Sequence, residues 1–442
     1  MPAPSSPPRD AAGALALLRR AQPQLWTSPV RSAQAEAAAG VDPDLTGAAA
    51  ARFERFRPLV ASLFPELAAQ GGRIRSALRQ APRLQEALGI EQGQVWIKCD
   101  HALPVAGSIK ARGGFHEVFE LAERIAAGAG TPVHEDASAL ATPALRALFG
   151  EHEIAVGSTG NLGMAIGVMA AALGFRAVVH MSADAKAWKK ARLRARGVTV
   201  VEHAGDYADA VAAGRRHAAG QPHRHFIDDE NSASLFAGYS TAGAELQEQL
   251  AQAGVAVDAR HPLFVYLPCG VGGAPAGITH GLAGRFGPFV HCVFAEPVQS
   301  PCVLLALLTG MDPPVYDYGL SNRTEADGLA VPRASRFAVE AVRHLVAGVC
   351  SVRDEDLLRD LFLLETAEGI RVEPSAAAGI GALRALCRTD QARAYLQHHG
   401  LADHLHRATH VVWTTGGLLL PEPEYLAFHH RGAELATVAD PT

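Results

Sequence analysis

The sequence is poor in the features that mark several protein classes. It has six cysteines (Cys99, Cys269, Cys292, Cys302, Cys350 and Cys387) in 442 residues, and none forms a CxxC pair. That excludes a cysteine zinc framework and a disulfide scaffold, and it fits a reducing compartment. Basic residues are in slight deficit, 40 Lys+Arg against 45 Asp+Glu, for a net charge of −5. Binding a phosphate backbone needs a clustered excess of Lys and Arg, so no nucleic-acid partner is expected. The longest uncharged stretch, 263–284, has the length of a membrane span but contains Pro268, Pro275, His280 and several glycines. It reads as a strand, a loop and a helix start, and no membrane partner is expected. A basic n-region followed by an apolar h-region is absent from the N terminus. A soluble, cytoplasmic protein is the expectation.

Several catalytic signatures are missing as well. The 20 histidines include close pairs but no HExxH, and no GxSxG elbow or Walker GK[ST] occurs. What remains is an ordinary globular composition, 48% apolar and 19% charged. At ~150 residues per domain the length suggests two or three domains. Glycine is in excess, 43 residues, and is dense near 160 and 270.

Apolar strands are expected at 94–98, 154–156, 177–181, 198–202, 225–227, 263–267, 291–295 and 410–413. Helices fall between them, including one over 184–196 that Gly197 stops. The alternation predicts the α/β class, with mostly parallel sheets covered by helices. Residues 1–50 read as an arm or peripheral helices. A helix opens at Lys110, with Phe115, Val118, Phe119, Ala122 and Ile125 on one face.

Four segments carry chemistry. Gly157-Ser158-Thr159-Gly160-Asn161-Leu162-Gly163 follows a strand and enters a helix, a cradle for a carboxylate or phosphate. Its plain alternative is a tight turn capped by Ser158 or Thr159. The glycines of 270–277 also follow a strand, but Pro275 breaks a GxGxxG pattern, leaving a non-nucleotide phosphate nest. Lys110 lies at a helix start, where the dipole disfavours an ammonium and favours the nucleophilic amine. Taken alone it would be one more solvated lysine. Thr414-Thr415-Gly416-Gly417 ends a late strand and would by itself be a glycine turn.

Together and in this order, the segments resemble fold-type II pyridoxal-phosphate enzymes (tryptophan synthase β-like), and among them the bacterial D-serine dehydratases. The resemblance spans roughly residues 94–425. It rests on GSIKARGG around Lys110, AVGSTGNLG at 155–163, VHMSADAKAWKK at 179–190 and FIDDENS at 226–232. YLPCGVGG at 266–273, FAEP at 294–297, ADGLAV at 326–331, GIRVEPSA at 369–376 and the WTTGG ending at Gly417 add to it.

The resemblance implies two open, mostly parallel sheets in two domains. A large domain would take 1–116 and 237–442, and a small one 117–236. It implies pyridoxal 5'-phosphate as cofactor, with Lys110 as the Schiff-base lysine, Asn161 at the ring hydroxyl and Thr415 at the ring nitrogen. Gly270, Gly272 and Gly273 would hold the phosphate. Ser158, Thr159 and Leu162 would form the substrate carboxylate loop, and Thr159, the cofactor phosphate or a bound water would give a proton to the departing hydroxyl. Glu296 is a candidate ligand for a monovalent cation, K+ or Na+, and an ordinary salt bridge is the competing role.

The implied reaction converts D-serine to pyruvate and ammonia, with D-threonine as a second candidate substrate. The α-proton base stays open between Lys110 and another group. An L-serine/threonine dehydratase of the same fold and a non-catalytic cofactor-binding homologue are the alternatives. A monomer or small homo-oligomer is expected. The chain departs from the family's GVGGGPGG and WATGGG patterns at Ala274, Ala276, Thr414 and Leu418. The two alanines put the geometry of the phosphate loop in question.

Overall fold

A computed structural model describes residues 11–31, 41–42, 44–158, 160–183, 185–205 and 207–437. It contains eleven strands: β1 (Gln24–Thr27), β2 (Leu78–Gln80), β3 (Gln94–Lys98), β4 (Glu153–Gly157), β5 (Arg176–Ser182), β6 (Thr199–His203), β7 (Arg224–Ile227), β8 (Leu263–Pro268), β9 (Val290–Pro297), β10 (Val346–Val352) and β11 (Thr409–Trp413). They form two sheets. One has seven strands in the order β1-β10-β9-β8-β11-β3-β2, the other four in the order β6-β5-β4-β7. The four-stranded sheet is wholly parallel. The larger one is parallel except for β1 and β2, which add antiparallel edges.

By packing, the chain divides into two units. The first takes Met1–Val41, Ser76–Ala102 and Ala242–Thr442 and holds the seven-stranded sheet. The second takes Asp42–Arg75 and Leu103–Thr241 and holds the four-stranded one. All of residues 117–236 fall in the second, which also includes the helix Lys110–Gly128 and the helix Leu45–Leu63.

Composition explains the central strands of the first unit. β8 (LFVYLP), β9 (VHCVFAEP) and β11 (THVVW) are buried along their whole length, as parallel strands covered on both faces must be. Several of their polar side chains are bonded internally. His410 of β11 is fully buried and its Nδ1 lies 2.7 Å from the Tyr266 hydroxyl. The edge strand β2 is half or fully exposed, and its Arg79 and Gln80 suit an edge. In the second unit the helix Lys110–Gly128 buries Phe115, Val118, Phe119 and Ala122, while Ile125 is half-buried. Phe119 stacks on Phe56 with ring centroids 4.1 Å apart.

Each strand expected from the sequence is found to within a residue or two, as β3 to β9 and β11. Two readings need correction. Residues 1–50 include β1, a strand of the main sheet, so that segment is more than a peripheral arm. β10 was not anticipated, although all seven of its residues are buried. Among the described residues no helix is long and apolar enough to cross a membrane.

Candidate active site

The second unit brings a lysine, a carboxylate and a phenol together. The helix begins at Lys110, after a turn in which Gly107 takes φ +61°. Lys110 Nζ lies 3.7 Å from Asp229 Oδ2 and 5.6 Å from the centroid of the Tyr239 ring. Tyr239 reaches this place because Gly113 has no side chain; a Cβ there would stand 2.5 Å from Tyr239 Cζ. Burial, followed by the charges of Asp229 and Glu117, holds the Tyr239 phenol well above its usual range, so it stays protonated. Three buried polar atoms here have no hydrogen-bond partner among the described residues: Asp229 Oδ1, Tyr239 Oη and Ser108 Oγ. A native interior rarely leaves such atoms unmatched; they belong to the ion-pair partner of Lys110, to its ring neighbour and to the residue two positions before it, which fits a polar group that binds there.

β4 leads into the second segment of this half. Ser158 Oγ accepts from the N–H of Gly160, at 3.1 Å, and of Gly163, at 3.0 Å. The helix Asn161–Leu173 starts directly after, and its first turn presents N–H groups with no intrahelical acceptor. Ser158 thus braces the turn internally and serves an N–H of the first helical turn, while the N-cap position itself falls on Gly160. Leu162 is buried within that turn. Thr159 lies outside the described residues. The Lys110 helix packs against this one through Gly114, where a Cβ would be 3.1 Å from Ala165 Cβ. The two helix starts are therefore neighbours.

In the first unit the remaining expected residues sit at the C-terminal ends of the parallel strands, where α/β sheets bind ligands. β8 runs through Cys269 and Gly270 into the helix Gly273–Phe286. Gly272 takes φ +104°, which a side chain would strain, and leads into a helix start suited to an anion. Gly270 is braced by the Cys302 thiol, which donates to its carbonyl at 3.3 Å. Ala274 and Ala276 lie inside the helix and are buried. An alanine is at home there, which answers the question raised by their departure from the family pattern.

Glu296, at the end of β9, is fully buried. Its oxygens accept from the N–H of Val303 at 2.8 Å and of Leu304 at 2.9 Å, at the start of the helix Cys302–Thr309. Burial outweighs these bonds and pushes the carboxyl up to about 8. No Lys or Arg pairs with it among the described residues, so the salt-bridge alternative finds no partner. No group of three or more His, Cys, Asp or Glu side chains there could hold a metal ion.

Thr415 follows β11, ahead of Gly416 and Gly417. Gly417 takes φ +149°, and a Cβ on it would stand 2.5 Å from Val372 Cα. Asp229 and Tyr239 were not singled out from the sequence. Asp229 belongs to the FIDDENS segment, where nothing in the sequence distinguishes it from the other two acids.

Residues 70–395 match the family model described as "Pyridoxal-phosphate dependent enzyme". The chain belongs to that family. It is 58% identical over 433 residues to a protein of Acidovorax ebreus named "Probable D-serine dehydratase", covering 95% of this chain and 96% of that one. A protein of the same name from Cupriavidus pinatubonensis is 56% identical over 428 residues, 96% of each chain. In fold, the chain is similar to diaminopropionate ammonia lyase from Escherichia coli, with a TM-score of 0.74 at 18% identity, over 93% of this chain and 97% of that one.

Proposed function

We propose that this chain removes water from D-serine with pyridoxal phosphate as cofactor, giving pyruvate and ammonia. The observation that carries the reading is the Lys110 amine beside the half-bonded Asp229 carboxylate, in a chain 58% identical to relatives named for this activity. The cofactor, when bound, supplies an aldehyde that joins an amino group and a ring that withdraws electrons from the adjoining carbon. Lys110 would hold its aldehyde carbon and Asn161 its ring hydroxyl. Thr415 would hold the ring nitrogen, and the N–H groups of Gly270, Gly272 and Gly273 its phosphate.

The chain's own groups then divide the proton work. Asp229, 3.7 Å from Lys110 Nζ, can take a proton from the ammonium and return it, so that the amine is free when it must act as nucleophile or base. The turn braced by Ser158 offers the N–H groups of its helix start, including that of Leu162, to the substrate carboxylate. Thr159 would donate to the leaving hydroxide. The neutral hydroxyl of Thr415 adds no positive charge at the ring, which suits elimination over a long-lived carbanion.

Incubation of the purified holoenzyme with D-serine and with L-serine, followed by pyruvate detection, tests the reading. Pyruvate from the D-isomer alone is expected. Pyruvate from the L-isomer alone would make it an L-serine/threonine dehydratase, and none from either, with cofactor bound, a non-catalytic homologue.

A monovalent cation at Glu296 is the subsidiary part of the proposal. A buried carboxyl that accepts from two amides and pairs with no basic side chain among the described residues is held up at about 8, and a cation bound beside it would favour its ionised form. Potassium should raise activity over tetramethylammonium at equal ionic strength, and Glu296→Gln should abolish the difference. Equal rates in both salts would remove the cation from the proposal.

A further inference from the structure

The segment that carries Thr415 is tied at both flanks to one residue of the turn after β3. Thr414 is fully buried, and both its N–H and its hydroxyl donate to the Lys98 carbonyl, at 3.0 and 2.9 Å. With the hydroxyl proton so used, Thr414 Oγ1 accepts from His101 Nδ1, 2.7 Å away. The imidazole therefore carries its hydrogen on Nδ1. Burial lowers His101 to about 4, so the ring is neutral at pH 7. On the other flank the N–H of Leu418 donates to the His101 carbonyl at 3.2 Å. Residues 415–417 are thus strung between two anchors on the same residue.

The platform under those anchors is stiff. Lys98 Nζ is fully buried and lies 2.5 Å from Glu245 Oε1. Trp413 Nε1 donates to Asp100 Oδ2 at 2.9 Å, and Asp100 Oδ1 accepts from Ser76 Oγ at 2.6 Å. β3 and β11 are paired in parallel up to Lys98 and Trp413. The glycines of the segment would otherwise give its backbone wide freedom. The hydrogen-bonded set formed by His101, Thr414 and Lys98, together with the Glu373 N–H that donates to the Gly416 carbonyl at 3.1 Å, restricts that freedom around Thr415, whose hydroxyl would meet a ring atom.

We propose that His101 is a positioning residue for the cofactor ring, acting through Thr414 to aim the Thr415 hydroxyl; this rests on the placement of Thr415 given above. A neutral hydroxyl–nitrogen bond weakens steeply once its distance and angle leave a narrow range, so a loosened turn should be felt first in how the ring is held.

The test uses the holoenzyme and three variants. His101→Phe keeps a ring and removes the donor, His101→Asn restores an N–H near the position of Nδ1, and Thr415→Val removes the hydroxyl being aimed. Cofactor dissociation, the visible absorbance band of the bound cofactor with its pH dependence, and apoprotein melting temperature are measured on each. His101→Phe should weaken cofactor binding roughly tenfold and shift the band in the same direction as Thr415→Val. His101→Asn should return both to within about twofold of the parent at an apoprotein melting temperature equal to that of His101→Phe. A merely structural His101 would change melting temperature and leave the band in place, which overturns the inference. An unshifted band in Thr415→Val overturns the placement of Thr415 and this inference with it. A shift there with none in His101→Phe overturns this inference alone.

Discussion

Asp229 sets one carboxylate oxygen 3.7 Å from Lys110 Nζ, while its other oxygen is buried without a hydrogen-bond partner among the described residues. An acid held this way can exchange a proton with the amine and still accept one bond from a bound molecule. Asp229→Asn removes the first capacity and preserves shape. Elimination should slow by about 10²-fold or more, the range of a lost general acid–base group, with the cofactor's visible absorbance retained. Turnover within about threefold of the parent would show that Asp229 has no part in proton transfer.

Tyr239 gives a separate prediction, because its buried hydroxyl is unmatched. Tyr239→Phe removes a desolvated group that gains nothing in the ligand-free fold, so stability should hold or rise by up to about 1 kcal/mol. Activity should fall all the same, since the ring stands 5.6 Å from Lys110 Nζ and its hydroxyl is unmatched. Urea denaturation of the apoprotein, set against kcat/KM, reads both. A loss of more than about 1 kcal/mol would mean that the hydroxyl has a partner in the fold.

The phosphate turn separates two kinds of small residue. Gly272, at φ +104°, should not tolerate alanine: Gly272→Ala is expected to cost at least about 1 kcal/mol in backbone strain and to weaken cofactor binding. Ala274 and Ala276 lie in the helix that follows. Ala274→Gly or Ala276→Gly should cost about 0.5–1 kcal/mol each and leave cofactor affinity unchanged. Fluorescence titration with the cofactor distinguishes the classes, and tighter binding in either glycine variant would sink the distinction.

Acid should unfold the protein through its buried histidines. His180, with Nδ1 2.9 Å from His203 Nε2, and His410, bonded to the Tyr266 hydroxyl, are each lowered by burial to about 4. In the unfolded chain they titrate near 6.5. Between those values the unfolded chain binds more protons, so their contribution to stability is complete above about 6.5 and is lost as pH falls toward 4. Asp360, raised by burial to about 6, works in the opposite sense, so the slope has to be isolated by substitution. Urea midpoints from pH 7.5 to 5 should fall less steeply for His410→Asn than for the parent. Equal slopes would acquit His410.

Most of the candidate site could be read from residue order. Lys110 at a helix start, glycines after β8 and a threonine after β11 all stand where a strand–loop–helix grammar puts them, because each depends on local backbone geometry. Asp229 and Tyr239 escaped for the opposite reason. They meet Lys110 across more than a hundred residues, and the clue to their approach is the bare Cα of Gly113, one glycine among 43. β1 and β2 were missed because strands of four and three residues carry almost no periodic signal. β10 (VAGVCSV) was missed because its small residues suit a crowded sheet interior as well as a helix.

The position of β11 has a consequence for synthesis of the chain. It is the last strand made, yet it lies between β3 and β8 in the middle of the seven-stranded sheet. As the polypeptide emerges, β4 to β7 are consecutive and can pair at once. The larger sheet keeps an open seam, flanked by apolar strands, until residue 413 is out. From the completion of β8 at residue 268 until then, that unfilled seam is the kind of transient apolar surface that exposes a nascent chain to association with others.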